Sequence, residues 1–192
     1  MALVASHVAL VFPGRRYGLE MPVLRYPAHA LAQLGAEVQA FEYPEFLVRA
    51  DAPDDEQVRE VTRAATEFVA QRVAGAARVT LLAKSLGTRI IARLPPDLVR
   101  AQVDAVWLTP IFVDAETVRG AMTKTSWRSP YVYGDADPSC NEAALRDIAG
   151  ATGGGVLSIT GGDHSLDVDG DVRASLDALV RLTAAVLDLA RS

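Results

Sequence analysis

Val79-Thr80-Leu81-Leu82-Ala83-Lys84-Ser85-Leu86-Gly87-Thr88 is an apolar, β-branched run that stops at a serine held between small residues. It predicts a strand, a sharp turn and then a helix. In that arrangement a strained turn lifts the serine oxygen clear of the sheet, and small residues two before and two after it keep neighbouring backbones from colliding. Ala83 and Gly87 occupy those two positions. Taken alone, Ser85 reads equally well as an ordinary helix N-cap, so the rest of the chain has to supply the context.

Outward from this stretch, strand and helix signals alternate. Val8–Phe12 is a continuous apolar run stopped by Pro13-Gly14, as in a strand buried on both faces. Pro22 to Leu34 has helical spacing and is closed by Gly35, with Pro27 awkward inside it. Val38–Tyr43 reads as a strand near the sheet edge, and a loop runs on through Arg49. Asp54-Asp55-Glu56 opens a helix whose Val58, Val61, Ala65, Phe68, Val69 and Val73 form one stripe. After the central stretch come a strand at Val103–Leu108, a short helix from Asp114 to about Thr123, and a strand at Pro130–Tyr133. A helix over Ser139–Ile148, a glycine-rich connector at Gly150–Gly154, a strand at Gly155–Ile159 and a final helix from about Asp171 to Ala190 complete the pattern. Six strand signals alternating with helices predict an α/β fold: an open, mostly parallel sheet with helices on both faces.

The chain has 192 residues, 50% hydrophobic and 22% charged, which suits one domain spanning residues 1–192. A net charge of -5 gives no footprint for a nucleic-acid backbone. Cys140 is the one cysteine, which excludes an intrachain disulfide and a thiolate-based structural metal site. Asp167-Val168-Asp169-Gly170-Asp171 fails as a calcium loop, because the bidentate-Glu position falls on Ala178. No stretch approaches the ~18 apolar residues of a membrane span, and the first residues lack a leader pattern, so a cytoplasmic location is expected.

In an open parallel sheet, ligands bind beyond the carboxyl ends of the strands. Those ends carry Pro13-Gly14-Arg15-Arg16, Lys84-Ser85-Leu86-Gly87, Gly134-Asp135-Ala136-Asp137 and Gly162-Asp163-His164-Ser165. A serine, three candidate carboxylates (Asp135, Asp137 and Asp163) and a histidine therefore fall in loops of one class. A serine hydroxyl needs an imidazole to take its proton, and the imidazole needs a carboxylate to orient it. His7 precedes a strand and His29 lies on a predicted helix face, so both read as structural.

The order serine, acid, histidine, together with Ala83-Lys84-Ser85-Leu86-Gly87 in place of Gly-x-Ser-x-Gly, resembles the α/β-hydrolase family over nearly the whole chain. The resemblance implies a Ser85, Asp137 and His164 triad, Asp137 being the later acid of the Gly-x-x-Asp turn. It also implies an oxyanion hole from the backbone amides of Leu86 and Arg15, with Pro13 where family members often have His. No cofactor and no metal are implied.

The segment from Val113 to Ser129 is too short for a cap domain, so an open, lidless site and a small ester or thioester substrate are expected. Ile111 and Phe112 are candidate pocket walls, and Arg16 and Tyr17 share the loop after the first strand. Lys84, Arg15 and Arg16 suggest an anionic substrate, against the alternative that they are solvated or paired with Asp135 or Asp163. Carboxylesterase and thioesterase chemistry run through the same acyl-enzyme. The alternatives are a non-catalytic ligand-binding or scaffold protein on the same fold, and a peptidase or dienelactone-type hydrolase.

Overall fold

The computed structural model describes residues 6–45, 47, 54–112 and 115–192. Six strands, β1 (His7–Phe12), β2 (Glu37–Ala40), β3 (Arg78–Lys84), β4 (Gln102–Leu108), β5 (Tyr131–Gly134) and β6 (Val156–Ile159), form one sheet in the order β2-β1-β3-β4-β5-β6. Every pairing is parallel. Chain order reverses direction at β1, so the crevice between the ends of β1 and β3 is the switch point of the sheet.

The helices are α1 (Pro22–Gln33), α2 (Asp55–Arg72), α3 (Leu86–Arg93), α4 (Ala115–Met122), α5 (Glu142–Thr152) and α6 (Val172–Arg191). Alternation along the strands divides the core in two. Val8, Leu10, Phe12, Leu81 and Trp107 join the cores of α2, α3 and α5 on one face. Ala9, Val11, Leu82, Val106 and Leu108 pack with α1 and α6 on the other. The sheet is thus covered on both sides, as the near-continuous apolar strands require.

Local signals set the helix ends. Asp54 and Gln57 form a reciprocal capping box at the start of α2. Gly35, at φ 86°, ends α1 with its N–H on Ala32 and that of Ala36 on Leu31. Pro27 stays inside α1, buried.

Two boundaries and one buried face depart from the sequence reading. β2 stops at Ala40 because the chain leaves the sheet after the Phe41 N–H to Val11 O bond (2.8 Å), and Tyr43 turns its hydroxyl onto the Pro13 carbonyl (2.9 Å). α5 starts later and runs through Gly150 to Thr152: Asn141 caps it, Leu145, Ile148, Ala149 and Thr152 carry its buried stripe, and Gly153 at φ 66° ends it. The final helix does not bury the whole predicted apolar face. Ala178, Leu182 and Val186 meet the sheet, while Val172, Leu176 and Val180 are exposed. Val172, Leu176 and Leu179 instead line a surface groove with Met21 and Tyr26. Arg49 and Asp114 lie outside the described residues. Among the described residues no helix is long and apolar enough to cross a membrane.

Gly87 is required by close approach. A Cβ there would stand 2.1 Å from the carbonyl oxygen of Phe12 at the end of β1. Gly87→Ala is expected to lower stability by about 2 kcal/mol, since main chain, not a flexible side chain, has to yield. Urea unfolding beside the wild type checks this, and an unchanged midpoint would mean that β1 and α3 are less closely apposed.

Candidate active site

The four non-glycine residues with positive φ among those described are Arg16 (113°), Ser85 (51°), Thr109 (41°) and Leu166 (65°). All four lie in loops that follow strands, at the carboxyl end of the sheet. Strain of this kind persists where the surroundings impose it, and it concentrates at functional sites.

Ser85 is the sharpest case. Its N–H bonds the Leu108 carbonyl (3.0 Å), and its own carbonyl takes the Thr88 N–H (2.9 Å) and hydroxyl (2.6 Å). Thr88 in turn accepts the Ile111 N–H (3.1 Å), which ties the turn to the loop after β4. The side chain makes no cap bond to α3. Its oxygen points instead to His164, with Oγ 2.8 Å from Nε2. The N-cap alternative for Ser85 therefore does not describe its hydroxyl.

The loops after β5 and β6 bring the other two groups together. Gly134 lies so close to the Gly162 carbonyl that a Cβ would meet that oxygen at 2.0 Å. Ala136 donates to the same carbonyl (3.0 Å), and Asp135 accepts the Gly161 N–H (2.6 Å). Asp135 is thus a loop brace. Asp163 folds its own turn, accepting the Ser165 (2.6 Å) and Asp167 (3.0 Å) amides. Asp137 is the carboxylate that reaches the imidazole, with Oδ2 2.7 Å from Nδ1 of His164. Because a carboxylate faces Nδ1, the proton belongs there, leaving the Nε2 lone pair for the serine hydroxyl.

No family model and no curated protein matches the sequence. Solved structures match it along nearly its whole length. An α/β serine hydrolase without a lid from Xanthomonas campestris is 19% identical, at a TM-score of 0.67 over 98% of this chain and 83% of that one. An alpha-beta serine hydrolase homologue from Coxiella burnetii is 15% identical, at 0.65 over 96% and 85%. The esterase domain of a Rhodothermus marinus protein is 13% identical, at 0.64 over 98% and 87%. The chain has the α/β-hydrolase fold. Between β4 and β5 the described residues of this α/β-hydrolase fold hold only α4 and turns, with no cap domain.

Around the Ser85–His164–Asp137 chain lies an open cleft of about 590 Å³, lined by Arg15, Arg16, Tyr17, Leu86, Ile111 and Ser139 among others. Leu86 is the first residue of α3, so its N–H has no acceptor within the helix and sits at the positive end of the helix dipole. One expected wall residue and one expected mouth cation are oriented otherwise. Phe112 is buried in the core on the α2 and α3 side and does not line the cleft. Lys84 borders the cleft as expected, but its ammonium is turned inward, 3.1 Å from Thr109 Oγ1 and 2.7 Å from the His164 carbonyl. Of the three expected cations at the mouth, Arg16 alone is exposed, Arg15 being half-buried.

His7 bonds Thr80 Oγ1 (2.8 Å), and burial, helped by Arg78, holds its ring below the usual imidazole range. His29 is exposed on α1. Among the described residues no cluster of three or more His, Cys, Asp or Glu could hold a metal ion.

Ser139 was not visible from the sequence as a site residue. Its hydroxyl (2.7 Å) and amide (2.9 Å) both donate to Asp137 Oδ1, and its oxygen lies 3.0 Å from His164 Nδ1. The available signal was Asp-Pro-Ser, an Asx turn in which a serine two residues on closes back onto the aspartate. Burial pushes the Asp137 carboxyl up. The bonds from the Ser139 hydroxyl, the His164 ring and the Ser139 amide outweigh that and hold it below the usual carboxylate range.

A carboxyl held low in the folded state stabilises the fold above the unfolded carboxyl range, and that contribution is lost as pH falls through the folded value. Ser139→Ala is therefore expected to start the acid loss of stability at a higher pH and to lower any turnover by less than about tenfold. Melting temperatures between pH 6 and pH 2 for both proteins check it; superimposable acid curves would leave Ser139 without this part.

Proposed function

We propose that this protein is a serine hydrolase that cleaves a small ester or thioester through an acyl-enzyme on Ser85, acting as one domain over residues 1–192. The observation that carries the reading is the unbroken chain from Ser85 Oγ to His164 Nε2 (2.8 Å) and from Nδ1 to Asp137 Oδ2 (2.7 Å). Ser85 Oγ attacks the carbonyl carbon as His164 Nε2 takes its proton. Asp137 holds the ring in the required tautomer and stabilises the imidazolium that forms. The carbonyl oxygen becomes an oxyanion, met by the amides of Leu86 and Arg15. Collapse breaks the bond to the leaving oxygen or sulfur, which receives the proton from His164, and water then repeats the sequence to release the acid.

The open cleft favours a small substrate, or an acyl group presented on a larger molecule, since few walls stand over Ser85. Preference for an anionic substrate rests on Arg15 and Arg16. A fluorophosphonate probe and a short p-nitrophenyl ester test the proposal. Phosphonylation mapped to the Ser85 peptide, with measurable ester turnover, is expected. A folded protein that neither labels nor turns over would overturn it in favour of a ligand-binding protein.

A further inference from the structure

Lys84 carries a charge in a place where charges are rarely kept. It is 1% exposed. Its ammonium donates to the His164 carbonyl (2.7 Å) and to Thr109 Oγ1 (3.1 Å), and stands 4.5 Å from the centre of the Tyr17 ring. These partners come from the loops after β6, β4 and β1, so one side chain from β3 ties three of the loops that make the cleft. Each of the three holds a non-glycine residue at positive φ: Leu166, just after His164, Thr109, and Arg16 beside Tyr17. Burying an ammonium is unfavourable by several kcal/mol unless its donors are satisfied, so a lysine kept here has its cost offset by these three contacts.

Resting on the acyl-transfer reading, we infer that Lys84 is a positioning residue: it clamps the main chain of His164 to the end of β4, so that the imidazole meets Ser85 and Asp137 together. The titratable side chains that act on it are Tyr17, whose ring it meets, and the Asp137 and Asp163 carboxylates. Burial lowers the Lys84 ammonium to about 8, with Asp137 and Asp163 opposing the shift. Deprotonation removes the charge and the ring contact while leaving an N–H donor. Activity of the wild type should therefore fall on an alkaline limb near that pH.

Lys84→Met, compared with the wild type on a p-nitrophenyl ester, tests the clamp. The expected result is a fall in kcat of about 10²-fold with KM within about twofold, because a reacting group is displaced without loss of the binding walls. The alkaline limb of the pH profile should disappear, since methionine has no proton to lose. Thr109→Val supplies a second route that leaves Lys84 in place. Loss of one acceptor for the ammonium should move the alkaline limb to lower pH, whether or not Lys84→Met folds.

Ring resonances of His164 in NMR read the contact without turnover: one Nδ1-protonated tautomer in the wild type, a mixture in Lys84→Met. A Lys84→Met protein with wild-type kcat, an unmoved alkaline limb and a single tautomer overturns the inference, as does an alkaline limb unmoved by Thr109→Val. A wild type that neither labels nor hydrolyses, yet shows the tautomer difference, overturns the acyl-transfer reading and leaves the clamp standing.

Discussion

Ser85→Ala is expected to lower turnover of a short p-nitrophenyl ester by about 10⁶-fold, to the level of the uncatalysed reaction assisted by binding alone. The size follows from the kind of step lost. Without Oγ no acyl-enzyme forms, and the imidazole at 2.8 Å has no proton to take. His164→Ala should cost about as much, and the double variant little more, because the two groups act as one unit. Asp137→Asn should cost about 10⁴-fold: an amide facing Nδ1 no longer selects the tautomer that leaves Nε2 free. Ser85→Ala should melt close to the wild type, since alanine adopts the φ of 51° at much the same strain as serine. Steady-state rates corrected for active protein give the comparison. A Ser85→Ala variant retaining a tenth of the activity would mean that another nucleophile acts.

Asp104→Ala is expected to lower stability by about 3 kcal/mol, or about 6–12 °C in Tm, with activity per folded molecule unchanged. Asp104 lies on β4, fully buried, and accepts the Arg78 Nε–H at Oδ2 (2.7 Å) and the Arg128 Nε–H at Oδ1 (2.6 Å). Both guanidiniums also hold the end of α6. Arg78 donates to the Ala190 and Leu189 carbonyls, and Arg128 to Leu189 (3.0 Å). The carboxylate is thus the hub that aims two cations at the negative end of a helix. Removing it leaves both without their anion, and their partial exposure keeps the effect at the lower end of the range for buried pairs. Urea unfolding gives the stability, and the ester assay on the same sample gives the activity. A loss of activity without a loss of stability would contradict this account.

Much of this fold and site was legible because the sequence repeated one message at several scales. Val79–Thr88 read as strand, turn and helix, and the other strands as apolar or weakly alternating runs followed within two residues by Pro or Gly. The loops after β3, β5 and β6 carried Ser85, Asp137 and His164 in order. What was less legible depends on where side chains turn after the regular elements end. Lys84 read as a rim cation because charge normally seeks water. Yet it continues the Thr80, Leu82 side of β3, and that alternation points it inward. Phe112 lies two residues past the Pro110 turn, where no periodicity says which way a ring faces. Gly150 suggested a connector because glycine disfavours helix, but the stripe from Leu145 to Thr152 outweighs one poor residue. On α6, Val172, Leu176 and Val180 have the spacing of a buried face. The sheet below accepts only one stripe, so composition alone could not tell the covered side from the open one.

The fastening of α6 by Arg78 and Arg128 has a practical consequence for handling the protein. α6 starts at Val172, a few residues after His164, and runs back about 30 Å to the opposite end of the sheet. A bead, surface or fusion partner joined after Ser192 would therefore hold the molecule by its far pole, with the mouth of the cleft turned toward the solution.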